Sequence, residues 1–119
     1  MLPVLSTADV VAIQEEVAKV RVDDSLLDYT LEIVRKTRDS EFLSLGVSPR
    51  GSLMLYRAAQ GMAYLEGRDF AVPEDFKSLA VPVFAHRVVV NARYTSTLKK
   101  SEQAEQVLRE IVDSATVPV

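Results

Sequence analysis

Residues 46–67 read GVSPRGSLMLYRAAQGMAYLEG, and this stretch decides the fold. Ser48 can cap the free backbone amides of a helix start, and Pro49 suits the first helical position. Arg50 then places a full positive charge in the first turn, where the helix dipole already concentrates partial positive charge. A helix built for stability alone favours Asp or Glu there. An arginine beside exposed amides makes a place that welcomes an anion such as a phosphate. Gly51 follows, weak in helix propensity but open to close backbone approach. Further along, Leu55, Ala58, Ala59, Met62 and Leu65 form one stripe, and the small residues, with Gly61, suit close helix packing. Met54 and Met62 read as gap-filling core. Gly67 ends the helix as a C-terminal glycine does.

Outward from this helix the pattern stays helical. Upstream, Met1 to Leu5 read as an incoming linker, and Ser6 or Thr7 starts a helix through Lys19. Its Val10, Ile13, Val17 and Val20 share one face, expected to lie on the core. Asp23 or Asp24 can cap a second helix over Ser25 to Arg38, with Leu26, Leu27, Tyr29, Thr30, Ile33 and Val34 as a wide apolar face. Arg35, Lys36 and Arg38 in its last turn complement the helix dipole, the simplest reading of that cluster; a phosphate-facing role for Arg35 or Arg38 is the alternative. The apolar loop carrying Phe42, Leu43 and Leu45 is expected to pack down and set the angle at which the Ser48 helix begins.

Downstream, Arg68 to Val72 form a connector and a fourth helix starts at Pro73, with Glu74 and Asp75 in its first turn. Val72 is a poor cap, so this start is weaker than that at Ser48. Pro82 is expected to break or restart the helix. Asn91 to Lys100 read as a polar connection. A last helix runs from Ser101 to Asp113, with Ala104, Val107, Leu108, Ile111 and Val112 at helical spacing. With no long alternating run, the fold class is all-α: a small bundle of about five helices, with room for a minor strand pair involving Phe70 or Val88 to Val90.

Composition excludes several functions. The 119 residues suffice for one modest core, and 48% hydrophobic with 26% charged residues describes a globular chain. A net charge of −3 argues against a nucleic-acid partner. Without cysteine there is no disulfide, zinc–thiolate site or thiol nucleophile. No apolar run is long enough for a membrane span, and the N-terminus lacks a signal-peptide layout. No glycine is followed by the Lys-Ser/Thr of a phosphate loop, and no acidic strand of the Walker B kind is present. With one histidine no metal site is expected. His86 lacks a partner that would make it a general base, and a packed or helix-capping role is the simpler reading. Glu15-Glu16 and Glu74-Asp75 read as helix-surface or first-turn charge. No catalytic residues are therefore expected within the chain, which by itself is not expected to be an enzyme.

Taken together, these residues resemble the C-terminal helical lid domain of the MoxR family of AAA+ ATPases. The elements that carry the resemblance are Gly46, Ser48-Pro49-Arg50, Ala58-Ala59, Gly67-Arg68-Asp69-Phe70, Pro73-Glu74-Asp75 and His86-Arg87, in that order. The resemblance covers nearly the whole chain. It implies that Arg50 is the sensor 2 residue contacting the terminal phosphates of ATP, with Ser48, Pro49 and Gly51 as nearby support. It implies ATP and Mg as cofactors of an intact protein whose α/β core domain is not in this sequence, with neither expected on this chain alone. Residues 1–5 would then lead from that core, 6–114 would be the lid and 115–119 a tail. The implied partners are the AAA+ core of the same chain, neighbouring subunits of a homo-hexameric ring and an unknown client protein. The implied role is coupling nucleotide state to inter-subunit motion in a chaperone-like remodelling ring in the cytoplasm. The chain departs from the family pattern at Val72, where Thr or Ser is more usual, and at Gly51, where Ala is common. The competing expectation is a free-standing helical protein–protein interaction module, docking through Phe42 to Leu45 or the HRVVV segment.

Overall fold

The computed structural model describes residues 6–92 and 99–118. Helix starts follow local chemistry. Helix α1 (Thr7–Ala18) opens with a reciprocal capping box: the Ser6 hydroxyl accepts the Asp9 amide at 3.2 Å, and the Asp9 carboxylate accepts the Ser6 amide at 3.0 Å. Helix α2 (Asp24–Asp39) is capped by Asp23, whose carboxylate accepts the Ser25 amide at 3.0 Å. Strand β1 (Leu43–Leu45) leads to α3 (Pro49–Leu65), followed by α4 (Pro73–Phe84), strand β2 (Val89–Val90) and α5 (Lys100–Ser114). The fold is all-α with one small antiparallel pair, Leu43 opposite Val90 and Leu45 opposite Val89. Val89 and Val90 thus take the strand role anticipated for that region. Phe70 instead forms an isolated parallel bridge with Arg21, closed by Arg21 N–H to Asp69 O and Ala71 N–H to Arg21 O. Residues 93–98 of the expected polar connection lie outside the described residues.

The core forms where α2, α3, α4 and α5 converge. Leu26, Tyr29 and Ile33 of α2 meet Leu55 and Ala59 of α3, Phe76, Ala80 and Phe84 of α4, and Ala104, Val107 and Leu108 of α5. Ala59 and Ala63 are fully buried on α3, and their small side chains let α4 pack closely against it. A further tie comes from Lys36, whose ammonium donates to the Ser114 carbonyl at 3.1 Å. It thereby places a cation from α2 at the C-terminal end of α5, which has no basic residue of its own in that turn.

Several burial expectations are corrected. Helix α1 touches only α3 among the described elements and buries none of its residues, leaving Val10 42% exposed. Its apolar face is real, but no second element packs over it; periodicity shows which residues share a face, not whether anything covers them. On α3, Leu65 is 82% and Met54 42% exposed, because the buried stripe runs through Gly51, Leu55, Ala59, Gln60 and Ala63 instead. Leu27 faces outward on α2. The apolar loop packs down only at Leu43 and Val47; the pairing with β2 slips register between Leu43 and Leu45, so Leu45 does not follow Leu43 inward, and Phe42, just ahead of the strand, is exposed as well. Pro82 does not break α4 but sits in its last turn, where the helix ends two residues later and only one internal hydrogen bond is forgone.

Candidate functional site

The start of α3 is held from behind by α2. The Thr37 hydroxyl donates to the Val34 carbonyl at 2.6 Å and accepts the Val47 amide at 3.0 Å, while Arg38 Nε donates to the Val47 carbonyl at 3.1 Å. Val47 is fully buried. Gly46 lies so close to α2 that a Cβ there would stand 2.8 Å from the Arg38 backbone nitrogen and Cα. Immediately after this anchor, Ser48 adopts extended backbone and caps α3, its hydroxyl accepting the Gly51 amide at 3.4 Å, and Pro49 occupies the first turn. A rigid helix start results.

Arg50 projects from this platform. It is exposed, the first turn of α3 contains no acidic residue, and among the described residues the Arg50 side chain has no hydrogen-bond or ion-pair partner. Ser48 and Pro49 are exposed beside it, whereas Gly51 is buried and a Cβ there would meet Val47 Cγ1 at 2.5 Å. The arrangement presents an uncompensated cation beside helix N-terminal amides, chemistry suited to a negatively charged oxygen ligand. Among the described residues no group of three or more His, Asp or Glu is placed to hold a metal, and no helix is long and apolar enough to cross a membrane.

The fold also assembles a cleft that sequence reasoning did not. Arg38 from the end of α2, Gly46 and Ser48 ahead of α3, and His86 and Arg87 after α4 line it together, with Leu45, Val88 and Val89 as an apolar wall. Arg35 is not among its lining residues, so of the two arginines weighed on α2 only Arg38 reaches it. His86 is exposed rather than packed. The His86-Arg87 pair was visible in the sequence, but its neighbourhood depends on a chain reversal between α4 and β2 that carries no helical periodicity.

A second motif proves architectural. Arg68 grips Asp75 with two hydrogen bonds, at 2.9 and 2.7 Å, and also donates to the Phe70 carbonyl and the Glu66 carboxylate. Asp75 in turn accepts the Val72 amide at 2.8 Å, so the third residue of α4 supplies the cap contact that the Val72 side chain cannot. Burial pushes the Asp75 carboxyl up, but the Arg68 guanidinium and the Val72 amide outweigh it and hold it below the usual carboxylate range. Those same Asp75 and Glu66 hydrogen bonds raise the Arg68 pKa further. At the end of α3, Gly67 takes φ +76°, Arg68 N–H reaches Ala63 O and Gly67 N–H reaches Tyr64 O, a Schellman closure. The Gly67-Arg68-Asp69-Phe70 and Pro73-Glu74-Asp75 motifs therefore form one clasp fixing α4 against α3.

This architecture, five helices among the described residues around one core with a small strand pair, is that of a helical lid domain. Residues 35–111 match the AAA lid domain, and the chain belongs to that family. Within it the chain is of the MoxR-like type. It is 42% identical over 117 residues to the uncharacterized protein YeaC of Bacillus subtilis, covering 98% of this chain and 36% of that protein. It is 31% identical over 124 residues to the chaperone MoxR1 of Mycobacterium tuberculosis, covering 97% of this chain and 32% of that protein. The crystal structure of a putative ATPase from Cytophaga hutchinsonii superposes with a TM-score of 0.84 at 27% identity, over 97% of this chain and 37% of that one. The chain thus spans about a third of the length of these relatives.

Proposed function

We propose that this domain is the nucleotide-sensing lid of a MoxR-type AAA+ ATPase, in which Arg50 contacts the terminal phosphates of ATP. The observation that carries the reading is the Arg50 guanidinium, unpartnered among the described residues, on a helix start with no acidic residue in its first turn. A cation there is unfavourable by roughly 0.3–1 kcal/mol in the absence of an anion, and a phosphate opposite it reverses the sign. Ser48, Pro49 and Gly51 hold the turn that aims it. The phosphate loop, the Mg ligands and the water-activating groups belong to a core domain elsewhere in the protein, so this domain supplies one contact to a composite ATP site. Phosphate charge pulls Arg50 and the rigid α3 toward the core, and release of phosphate relaxes them. Because the clasp fixes α4 to α3, the motion is passed to the rest of the bundle as a rigid body. In a cytoplasmic homo-hexameric ring this displacement reaches the neighbouring subunit and drives chaperone-like remodelling of a client.

The test is steady-state ATP hydrolysis by the full-length protein carrying Arg50→Ala. Loss of hydrolysis or of nucleotide-coupled motion, with the lid's melting temperature unchanged, is the expected result; normal hydrolysis and coupling reject the assignment. Exposure of Phe42 and Leu45 favours the other reading, a free-standing interaction module. A phosphate loop encoded upstream in the same gene decides for the ATPase, and a start codon at Met1 decides for the module.

A further inference from the structure

Beyond α4 the chain turns back on itself: the Arg87 amide donates to the Phe84 carbonyl at 2.8 Å. The turn lays the Arg87 side chain across the first turn of α3, where a Cβ at Gly51 would stand 3.4 Å from Arg87 Cδ. Arg87 is half-buried, and its guanidinium has no hydrogen-bond or ion-pair partner among the described residues. Arg35, Arg50 and Arg57 likewise have none among the described residues, whereas the other described arginines are engaged. Arg21, Arg68 and Arg109 each face a carboxylate, and Arg38 is oriented by its Nε bond to the Val47 carbonyl. The cleft shared by Arg38, Ser48, His86 and Arg87 has no carboxylate in its lining, although the chain carries 17 acidic residues and a net charge of −3. Two guanidinium groups gathered around one opening repel one another unless an anion sits between them.

We propose that Arg87 is a second phosphate-facing cation, and that the cleft it lines with Arg38 and Ser48 takes a phosphoryl group of the same polyphosphate that Arg50 meets. Arg50 lies outside the cleft lining, and the two positions join across Gly51, which the Arg87 stem adjoins and whose missing side chain makes room for Val47. A triphosphate carries several charges spread along its length, so one guanidinium on each side of the turn matches it better than either alone. This inference rests on the phosphate reading of Arg50, and the test separates the two.

The chain is titrated with inorganic tripolyphosphate while backbone amide and arginine side-chain NMR signals are followed. The comparison covers the unsubstituted chain, Arg50→Gln, Arg87→Gln, Arg87→Lys and, as a control outside the cleft, Arg109→Gln. Saturable shifts at Ser48 to Ser52 and at Arg87 are expected together. The dissociation constant should rise about tenfold for Arg50→Gln and for Arg87→Gln. Arg87→Lys, which keeps the stem and the charge, should recover part of the loss, and Arg109→Gln should change nothing. Melting temperatures of the variants exclude unfolding as the cause. A loss with Arg50→Gln alone overturns the role of Arg87 and leaves Arg50 in place. A loss with Arg87→Gln alone overturns the shared ligand, and the absence of saturable shifts overturns the cleft as a phosphate site; the Arg50 reading stands or falls separately, on hydrolysis by the full-length protein.

Discussion

Gly46→Ala isolates the contact that positions the candidate site. Gly46 does not use positive φ, so alanine can adopt its backbone conformation without strain. The obstacle is space: the new methyl would stand 2.8 Å from the nitrogen, Cα and Cγ of Arg38. Two of those atoms are helix backbone, which no rotamer change can move. Overpacking of this kind is destabilising by about 1–3 kcal/mol, while the reduced freedom of the unfolded chain returns about 0.4–1 kcal/mol. A net loss of about 1–2 kcal/mol follows, near 4–8 °C in melting temperature for a domain of this size. Gly61→Ala is the internal control. The same methyl added there meets nothing within 4 Å on a helix interior, so stability should rise by about 1 kcal/mol. Thermal and urea unfolding followed by circular dichroism read both. If Gly46→Ala is as stable as the parent, α2 does not hold the start of α3 by close backbone contact, and the rigid-platform argument fails.

Three further outcomes follow from other contacts. Tyr29 buries a hydroxyl without a hydrogen-bond partner among the described residues, so Tyr29→Phe should leave stability unchanged or raise it by up to about 1 kcal/mol in urea unfolding. Burial, with Glu32, Glu74 and Asp113 nearby, raises the Tyr29 pKa. Its ionisation therefore favours the unfolded chain as pH climbs past about 10, and Tyr29→Phe should lose less stability there. Asp75→Asn should lower stability at neutral pH by about 1–3 kcal/mol by loosening the clasp. Because the folded Asp75 pKa is depressed, its contribution is present above the unfolded value and disappears as pH falls below about 4. The parent and Asp75→Asn stabilities should converge in acid, as pH-dependent unfolding curves will show. Lys36→Met should destabilise the end of α5 through loss of its contacts with the Ser114 carbonyl and hydroxyl, read as faster amide exchange in the last turn of that helix.

Much of the bundle was legible because its signals are local. Ser6, Asp23 and Ser48 mark helix starts by their own side chains, and Gly67 marks a helix end by its backbone freedom. Arg50 stood out for the same reason, as a charge that its own turn does not want. What the sequence hid depends on neighbours far along the chain. The outward turn of Leu65, Met54 and Val10 reflects which elements lie opposite them, and periodicity carries no record of that. Arg68 looked like connector until its fork met Asp75 seven residues on. The cleft was least legible, since Arg38, Ser48 and Arg87 meet only through the crossing of α2, the start of α3 and the turn after α4.

The central claim is that Arg50 reads phosphate, and the most direct measurement is its position in the full-length protein bound to a non-hydrolysable ATP analogue. The account predicts an Arg50 guanidinium nitrogen about 2.7–2.9 Å from a terminal phosphate oxygen. An Arg50 paired instead with a protein carboxylate, and turned away from the nucleotide, would contradict it.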